Sequence, residues 1–81
     1  MIAEHILNRV ACERVGEAKR RNAYELVAVV DTDGSTKHVR WFRDWRRLLQ
    51  YVARQGWRDV PDGSMYGRHW ADADGTAYII I

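Results

Sequence analysis

The sequence predicts a single α+β domain in which a four-stranded, mainly antiparallel sheet is packed by two helices, in the order α-β-β-α-β-β. Two segments carry apolar residues at helical spacing, two others alternate at strand spacing, and an Asp-Gly turn divides each strand segment. With 81 residues the chain has room for one core, so we treat residues 1–81 as one domain.

The first helix is predicted from apolar residues that recur every three or four positions between Ile2 and Ala11. We expect it to end near Arg21, because basic residues suit the negative end of the helix dipole and Asn22 suits a left-handed exit. We interpret this basic cluster as dipole complementation and solubility rather than as a nucleic-acid contact.

A first β-hairpin is predicted where the segment from Ala23 to Asp31 alternates and is followed by Asp33-Gly34, a strong hairpin signal. If these two residues form the loop, the register of the two strands is fixed. The pairs on one face of the hairpin are then Val30 with Lys37, Ala28 with Val39, and Leu26 with Trp41.

The best-defined helix lies between Trp41 and Trp57. Asp44 can cap its first turn, and Gly56 can supply the left-handed residue that ends it. Trp57 would then fold back on Val52. A helical wheel gathers the predicted core residues in one arc: Trp41, Phe42, Trp45, Leu48, Leu49, Val52, Ala53 and Gly56.

A second hairpin is predicted around Asp72–Gly75, and a loop of either two or four residues leaves Trp70 on the same face as Ile79. Residues 57–60 are expected to form only a short extended piece, and residues 61–64 a turn. Residues 77–81 are apolar on both faces. We therefore expect the last strand in the sheet interior or at a covered edge, where self-association through it is an alternative.

The sequence carries no constellation typical of catalysis, so we expect no enzyme, no cofactor and no metal. The D-x-D-G segment at Asp31 begins like a calcium loop, but Phe42 occupies the position of the required bidentate Glu. The three histidines and Cys12 lack the spacing of zinc sites. No nucleophile elbow or glycine-rich phosphate loop is present.

A cytoplasmic location without membrane attachment is the expectation from cysteine usage and hydropathy. The one cysteine, Cys12, cannot form a disulfide within the chain, which suits a reducing compartment. The chain shows neither a secretory signal pattern nor an apolar run of about 18 residues.

One series of residues in the C-terminal half resembles a known family. It comprises L-L-Q-Y-V-A-R-Q-G-W, then Gly63-Ser64, then R-H-W-A-D-A-D-G-T-A-Y-I-I. The series resembles the core of HicA-type toxins, small RNases with a double-stranded-RNA-binding-like fold, and covers less than half the chain. Met65 stands where those toxins carry the catalytic histidine, and His69 is the nearby histidine. The resemblance implies an RNA-binding shape, with a degenerate mRNA interferase as a minor alternative.

The polar face of the second helix is the leading candidate for binding. Seven of the thirteen basic residues fall between Lys37 and Arg58, although the formal net charge is only +2. Guanidinium groups bind carboxylates and phosphates bidentately, so this face suits an anionic partner as well as plain solvent. The candidate residues are Arg43, Arg46, Arg47, Gln50, Tyr51 and Arg54.

A second candidate face lies on the first hairpin and comprises Val27, Val29, His38 and Arg40. Its two valines require cover, most simply from the first helix and otherwise from another chain. We expect a non-enzymatic module that docks on a protein or nucleoprotein complex, with RNA or DNA binding as the alternative. Small size and lack of catalytic residues are also typical of phage and mobile-element inhibitors such as anti-CRISPR proteins.

Overall fold

The structure, a computed structural model, describes residues 4–60 and 69–81. Its strands form one antiparallel sheet in the order β2-β1-β5-β4-β3. The α+β class with two helices is confirmed, but the prediction of four strands in the order α-β-β-α-β-β is wrong. The elements are α1 (Glu4–Arg21), β1 (Tyr24–Val29), β2 (Thr36–Phe42), α2 (Trp45–Gln55), β3 (Arg58–Val60), β4 (His69–Ala71) and β5 (Ala77–Ile80).

The additional strand is β3, which follows the end of α2 and pairs with β4. Three residues are too few to show a period of two, which is why the sequence indicated only an extended piece there. The turn expected at 61–64 and the beginning of the strand expected from Met65 lie outside the described residues. The described part of that strand is β4.

Helix α1 covers one face of the sheet. It ends at Arg21, and Asn22 follows with a left-handed φ of 51°, so the expected exit is confirmed. Its apolar stripe packs on β1 and β5 and thereby removes apolar surface from water. The buried cluster on this face contains Leu7, Val10, Val27, Val29, Ala77 and Ile79.

Helix α2 covers the opposite face, and both of its predicted caps are confirmed. The Asp44 side chain accepts a hydrogen bond from the Arg46 N–H at 2.9 Å, and Gly56 adopts a left-handed φ of 71°. Leu48 is fully buried, so Leu48→Ala would cost about 2–5 kcal/mol. The buried cluster on this face contains Leu26, Phe42, Leu48, Val52, Trp70 and Ile80.

Several residues predicted for the buried face of α2 do not lie there. Trp41 and Phe42 belong to β2, and the helix begins only at Trp45. Trp45 is 39% exposed, and Ala53 is exposed as well. Because β2 continues as far as Phe42, the chain crosses to the helix later than the helical wheel implied.

Trp57 packs partly buried against the cluster that contains Val52. Its ring stacks on Tyr78, with centroids 3.7 Å apart and an interplanar angle of 10°. The segment that leaves α2 is therefore held against the middle of the sheet.

The predicted register of the first hairpin is also wrong. The Val30 N–H donates to the Ser35 carbonyl at 2.8 Å, so the loop is longer than the Asp33-Gly34 pair alone. Ala28 consequently pairs with Lys37. This moves the pairing by two positions, so the longer loop alone leaves each side chain of β2 on its predicted face.

A bulge then changes the register again within the same hairpin. Leu26 pairs with Arg40 and Val27 with His38, which leaves Val39 as the extra residue of β2. Arg40 thus joins the α2 face of the sheet, whereas Trp41, opposite Glu25, joins the α1 face.

The second hairpin has a loop with an odd number of residues. The Asp72 N–H donates to the Thr76 carbonyl at 3.1 Å, and Gly75 within the loop has a φ of +86°. Trp70 therefore pairs with Tyr78 instead of sharing a face with Ile79, which corrects the prediction. A loop of two or four residues would have given the other parity.

Strand β5 lies between β1 and β4, so its expected place in the sheet interior is confirmed. The chain itself uses the hydrogen-bonding groups on both of its edges. In this fold β5 therefore has no free edge through which it could pair with another chain.

Candidate functional site

The polar face of α2 and the end of β2 border an open groove with a volume of about 720 Å³. Four arginines line it, and we call it the arginine groove. Five of the six residues proposed from the sequence are among its walls, whereas Arg46 is exposed on α2 outside it. The lining residues are Arg40, Trp41, Phe42, Arg43, Asp44, Arg47, Gln50, Tyr51 and Arg54.

Helix geometry brings most of these side chains together. Arg47, Gln50 and Arg54 are spaced three and four positions apart, so they lie along one side of α2. Leu48 and Val52 on the other side bury the helix against the sheet and fix its rotation. Arg43 lies just before the helix, in the connection from β2.

Arg40 enters the groove from β2, although the sequence placed it on the other candidate face. The bulge at Val39 turns its side chain to the α2 side of the sheet. Its guanidinium lies 5.3 Å from the ring centroid of Phe42 and 5.6 Å from that of Tyr51. Cation–π contacts of this kind hold the guanidinium in place without cancelling its charge.

The arginine groove carries excess positive charge. Within the described residues, none of its four arginines makes an ion pair with a carboxylate. Asp44 is the one acid in the lining, and its carboxylate accepts a hydrogen bond from the start of α2. Four clustered cations produce a positive local potential, and this potential attracts anions to the groove.

Arg14 provides the contrast, because its guanidinium binds a buried carboxylate. Arg14 Nε donates to Glu25 Oε1 at 2.9 Å and Arg14 Nη2 to Glu25 Oε2 at 2.6 Å. His38 Nδ1 lies 2.6 Å from the same Oε2, and Arg14 Nη1 donates to Thr36 Oγ1 at 3.1 Å. We call Arg14, Glu25, His38 and Thr36 the Glu25 cluster, which joins α1 to β1 and β2.

The ionised state of Glu25 is favoured although the side chain is only 2% exposed. Burial acts to raise the pKa of this carboxyl, but the hydrogen bonds from Arg14 and His38 outweigh it and hold the pKa below its ordinary value. The same hydrogen bond raises the pKa of Arg14. The cluster is thus a charged pair that serves the fold.

The Glu25 cluster was not predicted, although the sequence contains a signal for it. Arg14 lies on the inner stripe of α1, four residues after Val10 and four before Ala18. Glu25 shares a strand face with Val27. A cation on the apolar side of a helix, together with an acid on the sheet face below it, predicts a buried pair.

The second candidate face does not form an open surface. Val27 and Val29 are 0% and 1% exposed beneath α1, which confirms that the first helix covers them. His38 is held by Glu25, and Arg40 lies on the opposite side of the sheet. The structure therefore does not bring these four residues together as a site.

The described residues contain no group of three or more His, Cys, Asp or Glu side chains that could hold a metal ion. In the same part of the chain, no helix is long and apolar enough to cross a membrane. Three residues of the HicA-like series, Gly63, Ser64 and Arg68, lie outside the described residues, as does Met65. His69 is buried in β4 opposite Ile79.

Comparison of the chain with protein-family models, curated proteins and solved structures finds no match. The HicA resemblance therefore gains no support from a family model. Function has to be argued from the arginine groove and its surroundings.

Proposed function

We propose that the chain is a non-enzymatic binding module that docks on a protein or nucleoprotein complex through the arginine groove. One observation carries the proposal. Arg40, Arg43, Arg47 and Arg54 line the same groove, and none of them makes an ion pair within the described part of the chain.

Fold stability gives no reason to gather these cations. Each repels the others, and α2 is already anchored by Leu48 and Val52 on its inner side. Arginine is enriched at protein interfaces, and its planar fork binds carboxylates and phosphates with two hydrogen bonds. The partner surface should therefore present clustered negative charge.

Direct binding of RNA or DNA is the alternative, because phosphate contacts by arginine dominate nucleic-acid affinity. A nucleic-acid binder should shift random RNA or DNA in a gel and lose that affinity steeply as salt is added. A module that docks only on the protein of its target should shift neither. A HicA-like interferase would cleave RNA, and His69→Ala would stop the cleavage.

The hypothesis of a phage or mobile-element inhibitor, such as an anti-CRISPR protein, depends on the small size and the composition of the chain. Identification of the partner tests it directly. A pull-down from the source cell followed by mass spectrometry would provide the partner for affinity measurements.

The test of the groove is the variant Arg43→Glu, Arg47→Glu and Arg54→Glu. We expect it to fold normally, because all three side chains are exposed, and to lose partner binding by at least about 100-fold. The matched control is Lys37→Glu with Arg58→Glu, at two exposed cations outside the groove that make no ion pair within the described residues. It is compared with Arg47→Glu and Arg54→Glu, which change the formal charge equally.

The variants are compared by circular dichroism and by titration against the identified partner. Loss of binding in the groove variant with near-normal binding in the control supports the proposal. Equal affinities of the wild type and the groove variant contradict it.

A further inference from the structure

Two aromatic side chains beside the arginine groove are exposed, although rings of this size are usually buried. Tyr24 is 38% exposed and Trp45 is 39% exposed. They contact each other edge to face, with ring centroids 5.3 Å apart and an interplanar angle of 63°. Tyr24 begins β1 and Trp45 begins α2, so the pair lies where two elements start. We call it the aromatic pair.

The aromatic pair is bordered by cations. Tyr24, Lys19 and Arg43 line a second groove of about 330 Å³ next to the end of α1. Arg43 also lines the arginine groove, so the two grooves share a wall. Basic residues thus extend from Lys19 past the aromatic pair to the polar face of α2.

We propose that this combined surface binds single-stranded nucleic acid, with phosphates on the arginines and an unpaired base against Tyr24 and Trp45. The inference rests on the proposed function, and it names the component of a nucleoprotein complex that the module contacts. Proteins that bind single strands combine a basic groove for the backbone with aromatic rings on which bases stack. Both parts are present here, and Arg43 lies next to both of them.

Two other occupants fit less well. The bases of a duplex are stacked inside it, so a duplex would use the arginines and leave the aromatic pair unused. Tyr, Trp and Arg are also enriched at protein interfaces, but a protein would have to place acidic side chains opposite Lys19 and Arg43 as well as an apolar group against the aromatic pair. An acidic protein segment is therefore treated as an outcome of the test.

The test uses the full chain and a fluorescein-labelled oligothymidine of about 12 nucleotides, which is within the usual site size. Fluorescence anisotropy gives the affinity for this strand, for a duplex of equal length and for polyglutamate as competitor. We expect the single strand to bind most tightly, with an affinity that falls as salt is added.

The decisive variants change the aromatic pair and leave every charge in place. Trp45→Ala and Tyr24→Ala should each weaken single-strand binding by about 5- to 150-fold, the range for loss of one stacked base. The salt dependence should stay unchanged because the phosphate contacts remain. Arg47→Ala should instead reduce the salt dependence.

Trp45→Phe is the matched control, since it keeps a ring that can stack. Its affinity should stay within about threefold of the wild type, because stacking needs only an aromatic face. In the wild type, the strand should quench tryptophan fluorescence, and Trp45→Phe should lose most of that change. Circular dichroism verifies that each variant is folded.

Several results would overturn the inference. They are equal affinity for duplex and single strand, an unchanged affinity in the folded Trp45→Ala and Tyr24→Ala variants, or binding of polyglutamate in preference to the strand. Absence of oligonucleotide binding would overturn it as well. In that last case the proposed function still stands if capture of a protein partner depends on Arg43, Arg47 and Arg54. It fails with the inference if the groove variant binds that partner normally.

Discussion

The Glu25 cluster and the arginine groove both contain arginine, but in opposite settings. Arg14 donates two hydrogen bonds to a carboxylate that is only 2% exposed, and this contact joins α1 to the sheet. The arginines of the groove make no ion pair within the described residues and are open to solvent. An arginine serves the fold when the chain supplies its acid, and it is available for a partner when the chain does not.

The difference has energetic consequences. Removal of one member of a buried pair leaves the other charge buried and uncompensated, which is strongly destabilising. Substitution of an exposed side chain that takes part in no helix cap or buried network usually changes the free energy of unfolding by less than about 0.5 kcal/mol. Stability and binding should therefore respond to different arginines.

Among the arginine substitutions, the largest stability effect is expected for Arg14→Met. We expect a loss of about 2–3 kcal/mol, less than for a fully buried pair because the Arg14 side chain is 29% exposed. The melting temperature should fall by about 10–20 °C for a domain of this size. Denaturant unfolding and calorimetry would measure both quantities.

Arg47→Met is the matched control, and its unfolding free energy should stay within about 0.5 kcal/mol of the wild type. A double variant, Arg14→Met with Glu25→Met, should be more stable than Arg14→Met alone, because no buried charge remains. If Arg14→Met and Arg47→Met were equally stable, the distinction between the two regions would be wrong.

A smaller effect should appear in the pH dependence of stability. The pKa of Glu25 is below its ordinary value of 4.5 in the folded chain, because the hydrogen bonds from Arg14 and His38 outweigh burial. Its contribution to stability is therefore complete above about pH 4.5 and is lost as the pH falls through the folded pKa.

The comparison with Glu25→Gln isolates this contribution, since other carboxylates titrate in both proteins. The stability advantage of the wild type should shrink as the pH falls below about 4.5. Urea unfolding at a series of pH values measures it. An advantage that stayed constant down to about pH 2 would show that ionised Glu25 does not stabilise the fold.

The helix caps and the strands of the two hairpins were predictable because their signals are local. Asp44 and Gly56 cap α2 as the sequence indicated, and Asn22 follows the end of α1. Face assignments in the hairpins failed because they depend on whether a loop or strand holds one residue more. Five residues separate Ala71 from Ala77, and that odd number puts Trp70 opposite Tyr78.

The candidate site shows the same division. Helical spacing alone placed Arg47, Gln50 and Arg54 on one side of α2, and the structure gathers them in the groove. The place of Arg40 in the groove was not predictable, because a bulge transfers its side chain to the α2 side of the sheet and that bulge has no signal in the sequence. The exposure of Trp45 was missed because its helical spacing with Leu48 and Val52 predicted a core position.

Resonances from the arginine Nε–H groups would test most directly whether the groove is the anion-binding surface. The measurement is an NMR titration of the full chain with short inorganic polyphosphate, which offers negative charge without bases. The signals of Arg43, Arg47 and Arg54 should shift, whereas that of Arg14, whose Nε donates to Glu25 at 2.9 Å, should stay in place. Shifts confined to arginines outside the groove would contradict the proposed division between the two regions.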